Sequence, residues 1–146
     1  MSTTQRTYTI KEAAQLTGLP ASTLRYYETI GISPRIMRGD TSGHRIYTQD
    51  DIELLTWVSC LAATGMSVQN MREYIENGKD GITNAHKQVE LLTAKDNELA
   101  QEQQRISARR DYVQLKIQFW QAVASSDQQQ ADRIAEEAAR AAENLH

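Results

Sequence analysis

The sequence predicts a mostly α-helical fold, in which a small domain with one hairpin precedes a long coiled-coil helix. Three observations predict it. Capping residues and helix-ending glycines alternate as far as residue 81. The stretch around Gly39 and Gly43 has no helical period and is typical of a hairpin. Residues 83–124 contain neither glycine nor proline, and apolar residues recur there every seven positions.

Bulk composition limits the possible classes of protein. The 146 residues suffice for one small domain and a long helix, and 40% hydrophobic residues with a single Phe predict a thin core. No apolar run approaches the ~20 residues of a membrane span, and the first residues do not resemble a signal peptide, so we expect a cytoplasmic protein. One cysteine and no zinc-type His/Cys spacing predict neither a metal nor another cofactor.

The motifs and the charge distribution limit the possible functions. We expect no enzymatic activity, because no nucleophile–base set, phosphate loop or paired catalytic carboxylates occur. The net charge of -3 argues against a general polyanion binder. Positive charge is nevertheless concentrated between Pro20 and Thr48, where Glu28 and Asp40 are the only acids among these basic residues: Arg25, Arg35, Arg38, His44 and Arg45.

Two short helices joined by a turn are predicted first. Thr9 and Glu12 have the spacing of a capping box, so a helix should run to about Thr17 and end at Gly18. Its buried side is expected to comprise Ala13, Ala14 and Leu16. Residues 22–30 form the second helix, which Gly31 ends, with Leu24, Tyr27 and Ile30 facing the core. This arrangement is a helix-turn-helix.

A basic hairpin and two further helices complete the small domain. The hairpin is expected within residues 33–47, and Thr48 should cap a third helix that ends at Gly65. Asp50, Asp51 and Glu53 are better explained by the helix's positive first turn than by a catalytic or metal-binding cluster. Ser67 begins a fourth helix. The result is a winged helix-turn-helix over residues 7–77.

The long helix is predicted over residues 82–124. Its narrow apolar stripe cannot be buried by so small a domain, so a second copy is the expected partner. The predicted dimer-interface residues are Val89, Leu92, Leu99, Ile106, Val113, Ile117 and Trp120. The polar, Ala-rich tail, residues 125–146, is expected to be a short amphipathic helix or partly disordered.

The second helix and the hairpin are the candidate DNA-binding elements. A helix in the major groove places its N-terminal residues at base edges, and Arg and Tyr side chains can donate to phosphates. Each of these residues could alternatively be ordinary solvated surface. The candidates are Ser22, Thr23, Arg25, Tyr26, Arg35, Arg38, His44, Arg45 and Tyr47.

The N-terminal half resembles the MerR family of transcription regulators. The matching segments are residues 8–10, 16–18, 23–28, 31–32, 43–47 and 50–52. The resemblance, which covers residues 7–76, implies an antiparallel homodimer on a palindromic promoter site, whose spacer it bends and untwists so that RNA polymerase engages both promoter elements. Thr9 and Ile10, in the first matching segment, complete the predicted DNA-binding set. Pro20 departs from the Ser or Thr usual in the family, which leaves Ser22 or the backbone to cap the second helix.

Cys60 is the candidate sensor. Its surroundings resemble a MerR subgroup that senses reactive aldehydes or nitrosative stress through one cysteine, and the alternative is a small buried hydrophobe. Trp57 and Trp120 are interpreted as packing residues rather than as a drug pocket. The paired thiolates of the metal-sensing branch are lacking.

A function from another class stays open at this point. The long helix could serve protein assembly in an architectural or scaffold protein, with the small domain docking a partner. Such a protein would show no sequence-selective DNA binding at moderate salt, whereas a regulator would retain it.

Overall fold

The computed structural model describes residues 6–146. The described chain is mostly helical, with one small hairpin, as predicted. In chain order the elements are α1 (Ile10–Thr17), α2 (Ala21–Thr29), β1 (Met37–Arg38), β2 (Arg45–Ile46), α3 (Gln49–Ala63), α4 (Val68–Gly78), α5 (Gly81–Ala124), α6 (Gln128–Ala142) and a 3-10 turn (Glu143–Leu145). Two compact units divide within α5, one ending at Leu91 and the other beginning at Leu92. No helix among the described residues is long and apolar enough to cross a membrane.

Local signals determine the first helix as predicted. The Thr9 hydroxyl accepts from the Glu12 N–H at 3.1 Å, and the Glu12 carboxylate accepts from the Thr9 N–H at 3.0 Å, which completes the capping box. Gly18 ends α1 with φ of 76°, a left-handed conformation that glycine adopts without a steric penalty. Ala13 is buried, but the expectation for Leu16 was wrong, because its side chain is 53% exposed.

The second helix begins one residue earlier than predicted. Its N-cap is Pro20, which makes no side-chain capping bond, so Ser22 lies inside the first turn and does not cap the helix. Leu24 and Tyr27 are buried and Ile30 packs against them, as their spacing predicted. The helix-turn-helix therefore exists with a backbone start to α2 in place of a side-chain cap.

The hairpin is short and is extended by one bridge to the N-terminal segment. Met37 pairs with Ile46 and Arg38 with Arg45 in antiparallel register. Tyr8 and Tyr47 exchange two backbone hydrogen bonds of 2.8 Å each, which attach the hairpin to the chain preceding α1. A hairpin this short is not stable in isolation, so its position depends on such outside contacts. The predicted winged helix-turn-helix is confirmed.

A single cluster of apolar side chains forms the core of the first unit. α1 packs on α2 and α3, and α3 packs on α4. The buried apolar residues are Ala13, Leu19, Leu24, Tyr27, Ile32, Ile36, Tyr47, Ile52, Leu55, Val58, Met66 and Met71. Thr48 and Asp51 form a second capping box at the start of α3, which supports the structural interpretation of the acids there. The interpretation of Trp57 as a packing residue was wrong, since Trp57 is 68% exposed.

The C-terminal residues form an ordered helix, the first of the two predicted possibilities. The Asp127 carboxylate caps α6 by accepting from the Gln130 N–H at 3.1 Å. Ala131 and Ile134 are buried against Ala122, and Leu115 and Phe119 pack beside them. The described tail therefore folds back on the end of α5 within the second unit.

Candidate nucleic-acid interface

The outer face of α2 is free for a partner. Ser22, Arg25 and Tyr26 are exposed and Thr23 is half-buried, whereas the side chains on the opposite face enter the core. This separation follows from helical geometry, because residues three and four apart share a face. A helix that presents small polar residues and an Arg at its N-terminal half has the composition of a base-reading element.

A concavity beside α2 collects predicted residues from three elements. It measures about 510 Å³ and lies between the start of α1, Arg25 and the hairpin. Five predicted DNA-binding residues line it: Thr9, Ile10, Arg25, His44 and Arg45. Lys11 and Ser42 line it too and were not among the predicted residues. The basic side chain next to the Thr9–Ile10 pair was a signal that could have found Lys11.

A buried carboxylate links α2 to the hairpin. The Glu28 side chain, 9% exposed, accepts from Arg45 Nε at 2.8 Å and from Arg38 Nη2 at 3.1 Å. Its second oxygen accepts from the Ile36 N–H at 2.6 Å and from Arg38 Nη1 at 3.2 Å. Burial opposes the charged form, but these hydrogen bonds outweigh it and lower the pKa of Glu28 to about 2. Glu28 was not among the predicted site residues.

Comparison with known proteins identifies the family. The model of the "MerR HTH family regulatory protein" matches residues 8–78. The Bacillus subtilis regulator YfmP is 30% identical over 115 residues, which cover 77% of this chain and 81% of that protein. The chain belongs to the MerR family of helix-turn-helix transcription regulators.

Two other HTH-type transcriptional regulators match different shares of the chain. The Bacillus subtilis regulators YyaN and AdhR are 41% identical over 71 residues and 35% identical over 97 residues, respectively. The matches cover 49% and 66% of this chain, and the chain spans 51% of YyaN and 64% of AdhR.

A solved structure is similar over most of the described fold. HiNmlR, a MerR family regulator lacking the sensor domain, was solved bound to promoter DNA. It shares 27% identity at a TM-score of 0.67, over 88% of this chain and 96% of that one. A Listeria monocytogenes protein assigned to the same family shares 26% identity at a TM-score of 0.68, over 89% and 98% of the two chains.

The wing residues of this MerR-type domain are unequal candidates for DNA contact. Arg35 and His44 are exposed. Arg38 and Arg45 are half-buried and already donate to Glu28, with Arg38 donating also to the Ile36 carbonyl oxygen. Arg35 and His44 are therefore more accessible to a phosphate than Arg38 and Arg45, whose guanidinium groups are bonded to Glu28.

Tyr47 requires a correction. It was predicted to contact DNA, but its side chain is 0% exposed and its hydroxyl has no hydrogen-bond partner among the described residues. Burial raises the pKa of Tyr47. The residue completes the core beneath the hairpin, where its backbone pairs with Tyr8. A tyrosine at the end of a strand can point to either face, and the sequence alone did not show which.

The apolar stripe of the MerR-type long helix is uncovered in the single chain. Leu99, near its middle, is 38% exposed, and Trp120 is 63% exposed with its ring edge-to-face on Phe119 at 5.1 Å. The other predicted interface residues are exposed as well: Val89, Leu92, Ile106, Val113 and Ile117. The stripe has the exposure that an interface requires before a partner covers it.

Cys60 lies on α3 and is exposed, so it is not the buried packing residue of the alternative interpretation. Its neighbours Trp57 and Leu61 line an apolar cavity of about 710 Å³ between α3, α4 and the segment after α2. Arg72, the nearest base downstream in sequence, lines this cavity and donates to the Ile30 carbonyl oxygen at the end of α2.

Proposed function

We propose that two copies of this chain bind a palindromic promoter site, with each α2 in a major groove and each hairpin against the flanking phosphates. The observation that carries the proposal is the concavity in which Arg25, the start of α1 and the hairpin come together beside the exposed face of α2. Its cations come from three elements, as expected of a surface that follows a nucleic-acid backbone.

The exposed stripe on α5 supports the homodimer. The apolar residues recur at the spacing of a coiled-coil seam along a helix of 44 residues, and a helix of this length has too few neighbours to bury them. An antiparallel pairing relates the two copies by a twofold axis, which matches the symmetry of a palindromic site.

Promoter distortion is the proposed mechanism of control. The dimer bends and untwists the spacer, so that RNA polymerase reaches both promoter elements. A deformation of this kind costs on the order of a few kcal/mol, which the contacts of two DNA-binding units can supply. HiNmlR, with 27% identity to this chain, was solved on promoter DNA, which supports the same class of target here.

The proposal is tested by selecting DNA from a random-sequence pool with the wild-type protein. We expect an enriched palindrome that shifts in electrophoresis as one complex with two chains. Transcription from a promoter carrying this palindrome between its two elements should then depend on the protein. Enrichment of no sequence, or of a single half-site bound by one chain, would contradict the proposal.

We further propose that Cys60 senses an electrophile. Its exposed thiolate would add to the carbonyl carbon of a reactive aldehyde, forming a carbon–sulfur bond while the oxygen takes up a proton. An adduct there would lie on α3 next to Trp57 and Leu61. α3 packs directly on α1, so a bulky adduct on α3 could change how the DNA-binding elements are held.

A cysteine substitution tests this sensing. Cys60→Ser should abolish aldehyde-dependent transcription and leave basal DNA binding unchanged, and mass spectrometry should find the adduct on the wild-type protein alone. Ser59→Ala on the neighbouring position is the matched control. Full induction in Cys60→Ser would exclude the thiol as the sensor.

A further inference from the structure

Glu28 is an acidic residue on α2, the helix proposed above to lie in the major groove of a polyanion, DNA. Its carboxylate contacts β1 through Arg38, β2 through Arg45, and the segment before β1 through the Ile36 N–H. One side chain on α2 therefore contacts both strands of the hairpin and the segment that precedes it. The Arg38 and Arg45 partners are opposite each other in the strand register.

That register makes the hairpin dependent on the carboxylate. Two like charges directly opposite on paired strands repel each other, and strands of two residues each have little other pairing to offset the repulsion. Glu28 lies between the two guanidiniums and removes this repulsion. It also fixes their planes, because a guanidinium and a carboxylate bond in a defined geometry.

We propose that Glu28 is a positioning residue for DNA recognition, which holds the hairpin at one distance and angle from α2 so that both elements engage the same site. This inference rests on the DNA contacts proposed above. Glu28 itself does not contact DNA. Its low pKa, held there by the two arginines and the Ile36 N–H against the effect of burial, keeps the link charged at all physiological pH values.

The direction in which Glu28→Gln changes the affinity for DNA distinguishes a positioning role from simple electrostatics. Electrostatics alone predicts that Glu28→Gln strengthens DNA binding, since one anion is lost and two arginines are released. Positioning predicts a loss of roughly tenfold or more on the selected palindrome. It also predicts equal or higher affinity for unrelated DNA, with a salt slope that is steeper by up to about two, because the freed arginines can each neutralise a phosphate.

The experiment measures wild type and Glu28→Gln on the palindrome selected by the wild-type protein and on a scrambled duplex, between about 50 and 200 mM salt. Thermal melting checks that each variant is folded at the temperature of measurement. Glu53→Gln, which removes the same charge from an exposed site on α3, is the matched control and should behave as wild type on both duplexes. The positioning role is overturned if Glu28→Gln binds both duplexes more tightly than wild type, loses the same affinity for both, or binds both as wild type does.

A second variant keeps the test decisive if Glu28→Gln does not fold. Glu28→Asp retains the charge but shortens the side chain by one methylene, so the palindrome should bind more weakly while the scrambled duplex binds as in wild type. Wild-type affinity of Glu28→Asp for the palindrome would overturn the proposal. If the wild-type protein enriches no sequence at all, the proposed function fails, and this inference fails with it.

Discussion

Arg25 and the two arginines of the hairpin differ in what already binds them. Arg38 and Arg45 donate to Glu28, whereas Arg25 is exposed on the outer face of α2 and lines the concavity beside it. A guanidinium that is free on a groove-facing helix can donate to two acceptors on one guanine. We therefore expect sequence selectivity to depend more on Arg25 than on the two arginines of the hairpin.

We predict that Arg25→Ala weakens binding to the selected palindrome by about 1–3 kcal/mol per half-site. Binding to scrambled DNA should weaken much less, because a phosphate contact contributes equally to every sequence. Titrations of both duplexes measure the two losses, and Arg133→Ala, an exposed arginine of the second unit, is the control. Equal losses on the two duplexes would make Arg25 a phosphate clamp.

The Glu28 link also predicts how stability depends on pH. The pKa of Glu28 is about 2 in the folded chain and 4.5 when unperturbed, so the unfolded chain binds the proton first as pH falls. The link therefore contributes fully to the free energy of unfolding above about pH 5, and this contribution is lost as pH falls through 2. At its maximum the contribution is about 3 kcal/mol. Urea unfolding of wild type and Glu28→Gln should differ most near pH 7, and a difference that stays constant down to pH 2 would disprove this contribution.

Among the helices and strands, the features that could be predicted from the sequence are those that residues within one helical turn determine. The capping boxes at Thr9 and Thr48 and the glycine that ends α1 act within one helical turn, so the helices begin and end close to their predicted positions. The Glu28 link joins residues 8 to 17 positions apart, and the burial of Tyr47 depends on which face of the hairpin meets the core. Neither follows from a local pattern.

The C-terminal helix α6 forms in a segment for which the sequence left both a helix and partial disorder open. Ala131, Ile134 and Ala138 recur on one helical face, but two alanines and one isoleucine in a polar segment give little apolar area, so partial disorder stayed open as the alternative. What stabilises α6 is its contact with the end of α5, where Ala122 allows close approach.

We predict that Ile134→Ala loosens α6 alone. The substitution removes much of the apolar contact of a small cluster, at a cost on the order of 2 kcal/mol. Hydrogen exchange of residues 128–142 should accelerate at least tenfold, while the first unit exchanges as in wild type. Glu136→Ala, on the exposed face, serves as the comparison. Unchanged exchange in α6 would show that its own capping and helix propensity suffice.

At the scale of the whole molecule, the exposed stripe on α5 connects oligomeric state to DNA recognition. A single first unit offers one α2 and one hairpin, which can contact only a half-site. Two units held by a twofold axis contact both half-sites, and the second contact becomes intramolecular once the first has formed. In the proposed dimer, affinity for a full palindrome therefore depends on residues of α5 that lie outside the DNA-binding elements.

Leu99 gives a direct test of this dependence, because it is one of the predicted interface residues and a homodimer carries its substitution twice. Leu99→Asp would place two unpaired carboxylates in the interface, which costs several kcal/mol and should raise the dimer dissociation constant at least about 100-fold. Sedimentation should find monomers, and these should bind a half-site and a full palindrome with similar affinity. Gln101→Asp adds the same charge about half a turn away, outside the stripe, and should remain dimeric. A dimeric Leu99→Asp protein with full affinity for the palindrome would show that the two copies meet through another surface.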